Sequence, residues 1–121
     1  MIKAVRGAIS VNENDHKSMI EAVSLLITTM IEKNPIIESN IISIIFSQTN
    51  DLNIANPAAA LRASGKFTQV PLFCTQEPEY ENSIKSVVRV LLTFESDSSI
   101  QVCPVYLGEA SLLRQDLSSS E

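Results

Sequence analysis

Arginine carries most of the chemistry open to this chain, and it is scarce: Arg6, Arg62, Arg89 and Arg114 are the whole set. Two of them interrupt apolar runs, Val5-Arg6-Gly7-Ala8-Ile9 and Val87-Val88-Arg89-Val90-Leu91-Leu92. A guanidinium among apolar neighbours is costly unless an anion pairs with it. An internal salt bridge or an exposed sheet face would explain either arginine by itself. Together they favour a site for an anionic ligand, because the guanidinium fork matches a carboxylate at two points. Glu77 follows Cys74-Thr75-Gln76, and Tyr106 closes an apolar run beside Pro104. Both positions suit a pocket rim. They equally suit an exposed loop glutamate and a core tyrosine with its hydroxyl at the surface.

Other kinds of chemistry lack residues. His16 is the one histidine, so a single chain cannot assemble a histidine-based zinc site. A nucleophile–histidine system would have to use His16, which lies in a polar stretch just before a helix. The two cysteines, Cys74 and Cys103, are 29 positions apart and form no C-x-x-C motif. They read as reduced, mostly buried thiols rather than a disulfide. Nine Lys and Arg against 14 Asp and Glu give a net charge of −5. Without a basic run there is no nucleic-acid footprint. No apolar stretch approaches the roughly 20 residues of a membrane span, and the start shows no export signal. A cytoplasmic location is expected.

The 121 residues, 45% hydrophobic and 19% charged, describe one folded domain over 1–117. The polar end, Ser118-Ser119-Ser120-Glu121, is expected to be a mobile tail. A chain of this size buries only about 65% of its unfolded surface. That leaves little room for a deep pocket inside one subunit, and a site between subunits would relieve the limit.

The elements that must position these residues follow from pattern. Ile2–Val11 reads as a strand, with Arg6 on the face opposite Val5, Ile9 and Val11. Gly7 within it marks a bulge or a close backbone approach. Asn14 or Asp15 can cap a helix whose apolar residues recur at helical spacing from His16 to Lys33, and Asn34-Pro35 stops it. Ile41–Ser47 is a β-branched strand. Asn56-Pro57 opens a short helix over 57–62, with Gly65 just past its end. Gln69–Cys74 reads as an edge strand because of Pro71. Ser86–Phe94 and Ile100–Leu107 complete the set. The order is βαβαβββ, an α+β domain with a helix against one face of a mixed, mostly antiparallel five-stranded sheet.

Taken in order, several segments resemble the small trimeric chorismate mutases of mixed α/β type, which are unrelated in fold to the all-helical ones. The segments are Val5-Arg6-Gly7-Ala8, Pro57-Ala58-Ala59-Ala60-Leu61-Arg62, Val70-Pro71-Leu72-Phe73-Cys74-Thr75-Gln76-Glu77, Val88-Arg89-Val90, Val105-Tyr106-Leu107 and Leu113-Arg114-Gln115-Asp116-Leu117. Each is weak alone; their ordered spacing over the chain is specific. The resemblance implies a pseudo-α/β-barrel homotrimer with sites at its subunit interfaces. The implied reaction is the Claisen rearrangement of chorismate to prephenate, with no cofactor and no metal. By position, Arg6 and Tyr106 would hold a substrate carboxylate. Arg89 would contact a carboxylate and the ether oxygen of the breaking C–O bond. Glu77, with the backbone at Cys74, would bind the ring hydroxyl. Arg62 would assist from the rim, and Phe73, Leu113 and the segment Asn56-Pro57-Ala58 would wall the pocket. Arg114 would lie near the C-terminal segment. Two positions depart from the family pattern. Asn56 stands where an aromatic is frequent, and Ala59 stands where a lysine is, which removes one positive rim charge.

A unimolecular rearrangement suits this side-chain set, since it asks only for a folded substrate conformer and a fixed positive charge at the ether oxygen. Two other readings use the same arginines. One is a trimeric imine deaminase that grips a substrate carboxylate; the other is a non-catalytic module that binds an anionic metabolite.

Overall fold

The computed structural model of the chain describes residues 1–97 and 99–112. Leu113, Arg114 and the tail at 118–121 lie outside the described residues. The elements are β1 (Ile2–Ser10), α1 (His16–Lys33), β2 (Ile41–Gln48), α2 (Pro57–Arg62), β3 (Leu72–Gln76), β4 (Val87–Glu95) and β5 (Val105–Leu107). Short 3-10 turns occupy Glu38–Asn40 and Gly108–Leu112. The strands form one sheet in the order β3-β2-β4-β1-β5. At its centre β4 pairs antiparallel with both β1 and β2. Each edge strand is parallel to its neighbour, β3 to β2 and β5 to β1. The sheet is therefore mixed, and its long pairings are the antiparallel ones.

Period-2 patterning gives the sheet two unlike faces. On β4, Val88, Val90, Leu92 and Phe94 are buried, while Arg89, Leu91 and Thr93 between them are not. The buried face is covered by the stripe Met19, Ala22, Val23, Leu26, Ile27 and Met30 of α1. The short helix α2 packs beside α1. Each fully buried aliphatic or aromatic side chain contributes about 1.5–3 kcal/mol. A one-residue slip of β4 would expose four of them and drive Arg89 into the core, so the register is strongly fixed.

Local signals place the helix ends. Asp15 accepts a hydrogen bond from Ser18 N at 2.7 Å. That bond holds the Asp15 carboxyl below its ordinary value. At the other end Asn34 is 1% exposed. Its Nδ2 donates to Met30 O (2.9 Å) and Cys103 O (3.0 Å), and its Oδ1 accepts from Cys103 N at 2.7 Å.

This amide explains why β5 is shorter than the pattern from 100 to 107 suggests. Cys103 gives both its backbone groups to Asn34, and Pro104 has no N–H to offer a ladder. The strand expected at 69–74 is displaced to 72–76 for a related reason. Val70 N closes a turn onto Phe67 O at 3.3 Å, and pairing with β2 carries the strand on to Gln76. The cysteines are free, and half-buried rather than mostly buried.

Gly7 marks a close approach, not a bulge: its register with β4 is unbroken. A Cβ there would lie 2.5 Å from Met30 Sδ and 3.2 Å from Leu26 Cδ1. Both side chains are fully buried. Gly7→Val should therefore destabilise the fold by about 1–3 kcal/mol, as overpacking does. Urea unfolding measures this, and an unchanged midpoint would mean that α1 yields at no cost.

Candidate active site

The sheet face turned away from α1 carries the arginines. Register places its side chains in rows. One row runs Phe73, Ile45, Leu91, Arg6; the next runs Thr75, Ser47, Arg89, Ala8, Tyr106. Arg6 and Arg89 are thus diagonal neighbours on adjacent strands, with Cβ atoms about 7–8 Å apart or less. Ala8 stands between Arg89 and Tyr106 in that row and is itself fully buried. The Tyr106 ring packs against the small cluster of Ala8, Val87 and Ala110. Arg6, Ile45, Ser47, Arg89 and Leu91 line an open concavity on this face.

Glu77 joins the cluster from the end of β3. Its backbone N donates to Gln48 O at 2.8 Å, and its Oε1 accepts from Ser47 Oγ at 2.6 Å. Arg89 Nε lies 3.3 Å from the same oxygen. That distance makes an ion pair, but the N–H is not aimed along it, so buried Nε lacks a well-formed hydrogen bond. The side chains are 40% (Arg89) and 20% (Glu77) exposed. No acceptor among the described residues takes the terminal nitrogens of Arg89, and none pairs with Arg6. The face therefore presents two guanidiniums with one carboxylate between protein groups, and it has capacity for further negative charge.

Four other candidates, Arg62, Asn56, Ala58 and Cys74, do not turn their side chains to this face within one chain. Arg62 donates to Phe67 O, Thr68 O and Val70 O at 3.2–3.4 Å, which ties down the loop that leads into β3. Asn56 caps α2, its Oδ1 accepting from Ala59 N at 3.0 Å. Ala58 packs against the covered core. The Cys74 side chain also turns to the covered side, where Sγ donates to Gln48 Oε1 at 3.0 Å. Burial pushes this thiol above its ordinary value, so it is a poor nucleophile at neutral pH. Phe73 is on the open face and 66% exposed. The described residues contain no His/Cys/Asp/Glu group able to hold a metal, and no helix long and apolar enough to cross a membrane.

The sequence model of chorismate mutase type I matches residues 2–117. The chain belongs to the type I chorismate mutase family. It is 37% identical over 123 residues to chorismate mutase AroH of Thermus thermophilus, covering all of both chains. It is 31% identical over 119 residues to chorismate mutase AroH of Bacillus subtilis, covering 98% of this chain and 94% of that one. A solved structure of chorismate mutase from Clostridium thermocellum superposes with a TM-score of 0.85 at 35% identity. That match covers 91% of this chain and 98% of the other. The family's mixed α/β fold, not the all-helical one, is the fold seen here.

Two supports of the Arg89–Glu77 cluster do not follow from the sequence pattern. Ser47 follows the buried Phe46 near the end of β2 and shares the open face with Ile45; parity tells its face, and nothing in the sequence tells its partner Glu77. The other is the junction that precedes Arg89. Thr49 N donates to Val87 O, and Thr49 Oγ1 accepts from Val87 N, both at 3.1 Å. Asp51 accepts from Ser86 Oγ at 2.8 Å and Ser86 N at 3.2 Å. Partial burial raises the Asp51 pKa, but the bonds from Thr49 and Ser86 outweigh it, and the net direction is down. A lowered folded-state pKa gives stability that is present above the unfolded value and lost as pH falls through the folded one. The melting temperature of Asp51→Ala should thus fall below wild type at pH 7, and the gap should narrow below pH 3.8, the ordinary aspartate value. A gap equal at pH 3 and pH 7, two measurements on the order of the carboxylate and neutral ranges, would show that the charge at Asp51 does not matter.

Proposed function

We propose that the open sheet face, centred on Arg89, is where this chorismate mutase converts chorismate to prephenate, and that three copies of the chain enclose its sites. The observation that carries the assignment is the diagonal pair Arg6 and Arg89, with Glu77 fixed beside Arg89. Two guanidiniums at that spacing match a substrate with two carboxylates.

The reaction breaks the ether C–O bond as a C–C bond forms, with no proton transfer and no covalent enzyme intermediate. Catalysis then rests on conformer selection and charge. Arg6 and Tyr106 hold one carboxylate. The terminal nitrogens of Arg89, left free by Glu77, meet the second carboxylate and the ether oxygen. Holding both ends brings the bond-forming carbons together before reaction. Negative charge gathers on the ether oxygen as its bond stretches, so a guanidinium fixed there binds the transition state more strongly than the ground state. Glu77, with the Cys74 backbone, receives the ring hydroxyl. Prephenate feeds the synthesis of phenylalanine and tyrosine.

The open face is also an apolar surface. Phe73, Ile45 and Leu91 stand side by side in one row and are 39–66% exposed on the single chain. Contiguous apolar surface of this kind marks an interface. Packing by copies would cover it, would exclude water from the arginines, and would allow a neighbour to supply what one chain keeps on its covered side. Arg62, Asn56 and Ala58 belong to that group, as rim and wall. Leu113 is assigned to the wall as well.

Following the loss of chorismate ultraviolet absorbance tests the activity, and Leu91→Glu tests the assembly. The wild-type chain should consume chorismate and sediment with the mass of three chains. Leu91→Glu places a carboxylate on the packed face; it should sediment as a single chain and lose turnover. A fully active single-chain species would refute the shared site. Binding of chorismate without its conversion would point to the metabolite-binding module.

A further inference from the structure

We propose that Ser47 is a positioning residue for the rearrangement: its hydroxyl keeps Glu77 from closing a two-point grip on Arg89. The inference rests on the roles given above to Glu77 and Arg89. Carboxylate and guanidinium are matched forks, and their preferred contact is bidentate. Such a grip would engage both carboxylate oxygens and a terminal nitrogen of Arg89. The ring hydroxyl would lose its acceptor, and the ether oxygen would lose part of its donor.

The structure has a different arrangement. Ser47 is the cross-strand partner of Arg89, on the same face of the sheet. Its Oγ donates to Glu77 Oε1 at 2.6 Å, the short distance of a bond to a charged acceptor. Arg89 reaches that same oxygen, and through Nε only. The next residue after Ser47 holds the Glu77 backbone, through the 2.8 Å bond from Glu77 N to Gln48 O. Two consecutive residues of β2 therefore fix Glu77 at its backbone and at its carboxylate. Oε1 is committed to Ser47 and Arg89. Among the described residues no donor takes Oε2. It is left to face the ring hydroxyl, and the terminal nitrogens of Arg89 are left to face the ether oxygen. Each member of the ion pair is half used within the protein and half kept for substrate.

A double-mutant cycle with chorismate kinetics tests this. Ser47→Ala should lower kcat/KM roughly 10- to 100-fold, with kcat falling and not KM rising alone, as expected for a lost bond to a charged group. Ser47→Thr keeps the hydroxyl and should stay within about 3-fold of wild type, since the same bond to the carboxylate can form. In a Glu77→Ala background, removing the Ser47 hydroxyl should cost less than about 2-fold, because nothing remains for it to position. A near-normal Ser47→Ala, or losses that multiply in the double variant, would overturn the proposal. A fully active Glu77→Ala would instead remove the assignment of Glu77 on which the proposal stands. Thermal melting of each variant separates these losses from unfolding. Should Ser47→Ala fail to fold, Ser47→Cys, a weaker donor of similar size, carries the same cycle with the same outcomes.

Discussion

The ion pair between Arg89 and Glu77 is the constraint around which the site is arranged. An arginine on the central strand of a sheet must be compensated, and full compensation inside the protein would leave nothing for a ligand. Here the carboxylate meets only Nε, at 3.3 Å, and the rest of the guanidinium remains available. The position of Arg89 is set by the most heavily buried strand in the fold. Its alternate residues Val88, Val90 and Leu92 anchor the register, and the Thr49 and Asp51 bonds pin the start of the strand. The position of Glu77 is set by β2. Stability and function thus meet on β4: the alternation that builds the core on one face fixes the charge on the other.

The helices take part from a distance. Covering one face with α1 leaves the other face open, with Phe73, Ile45 and Leu91 exposed on it, and the proposed packing of copies would cover them. The split of residues between faces also explains the uneven placement of the proposed site. Arg6, Arg89, Glu77, Phe73 and Tyr106 share one face. Arg62, Asn56 and Ala58 are committed to the loop and helix on the other, where Arg62 and Asn56 already have structural hydrogen-bonding tasks.

Much of this was legible in the sequence because it follows from period and local chemistry. The 3.6 spacing of the long helix, the Asp15 cap and the proline-opened helix at 57–62 are local. The opposite parity of Arg6 to Val5 and Ile9 is local as well. The displaced boundaries of β3 and β5 were not legible, because Asn34 and β2 decide them from far along the chain. Ser47 was not legible either. A serine in an apolar strand has no special pattern, and its meaning appears only when β3 brings Glu77 beside it. Net charge shows the same division between global and local. A total of −5 excludes a broad basic surface, yet it does not prevent two guanidiniums from standing as diagonal neighbours on one sheet face.

The central claim is that Arg89 stabilises the transition state and does more than bind substrate. The turnover number of Arg89→Ala at saturating chorismate tests it directly. A fall in kcat of roughly 100- to 1000-fold is expected, corresponding to about 3–4 kcal/mol for a lost preorganised donor. A kcat close to wild type, with only KM raised, would contradict it and reduce Arg89 to a substrate anchor.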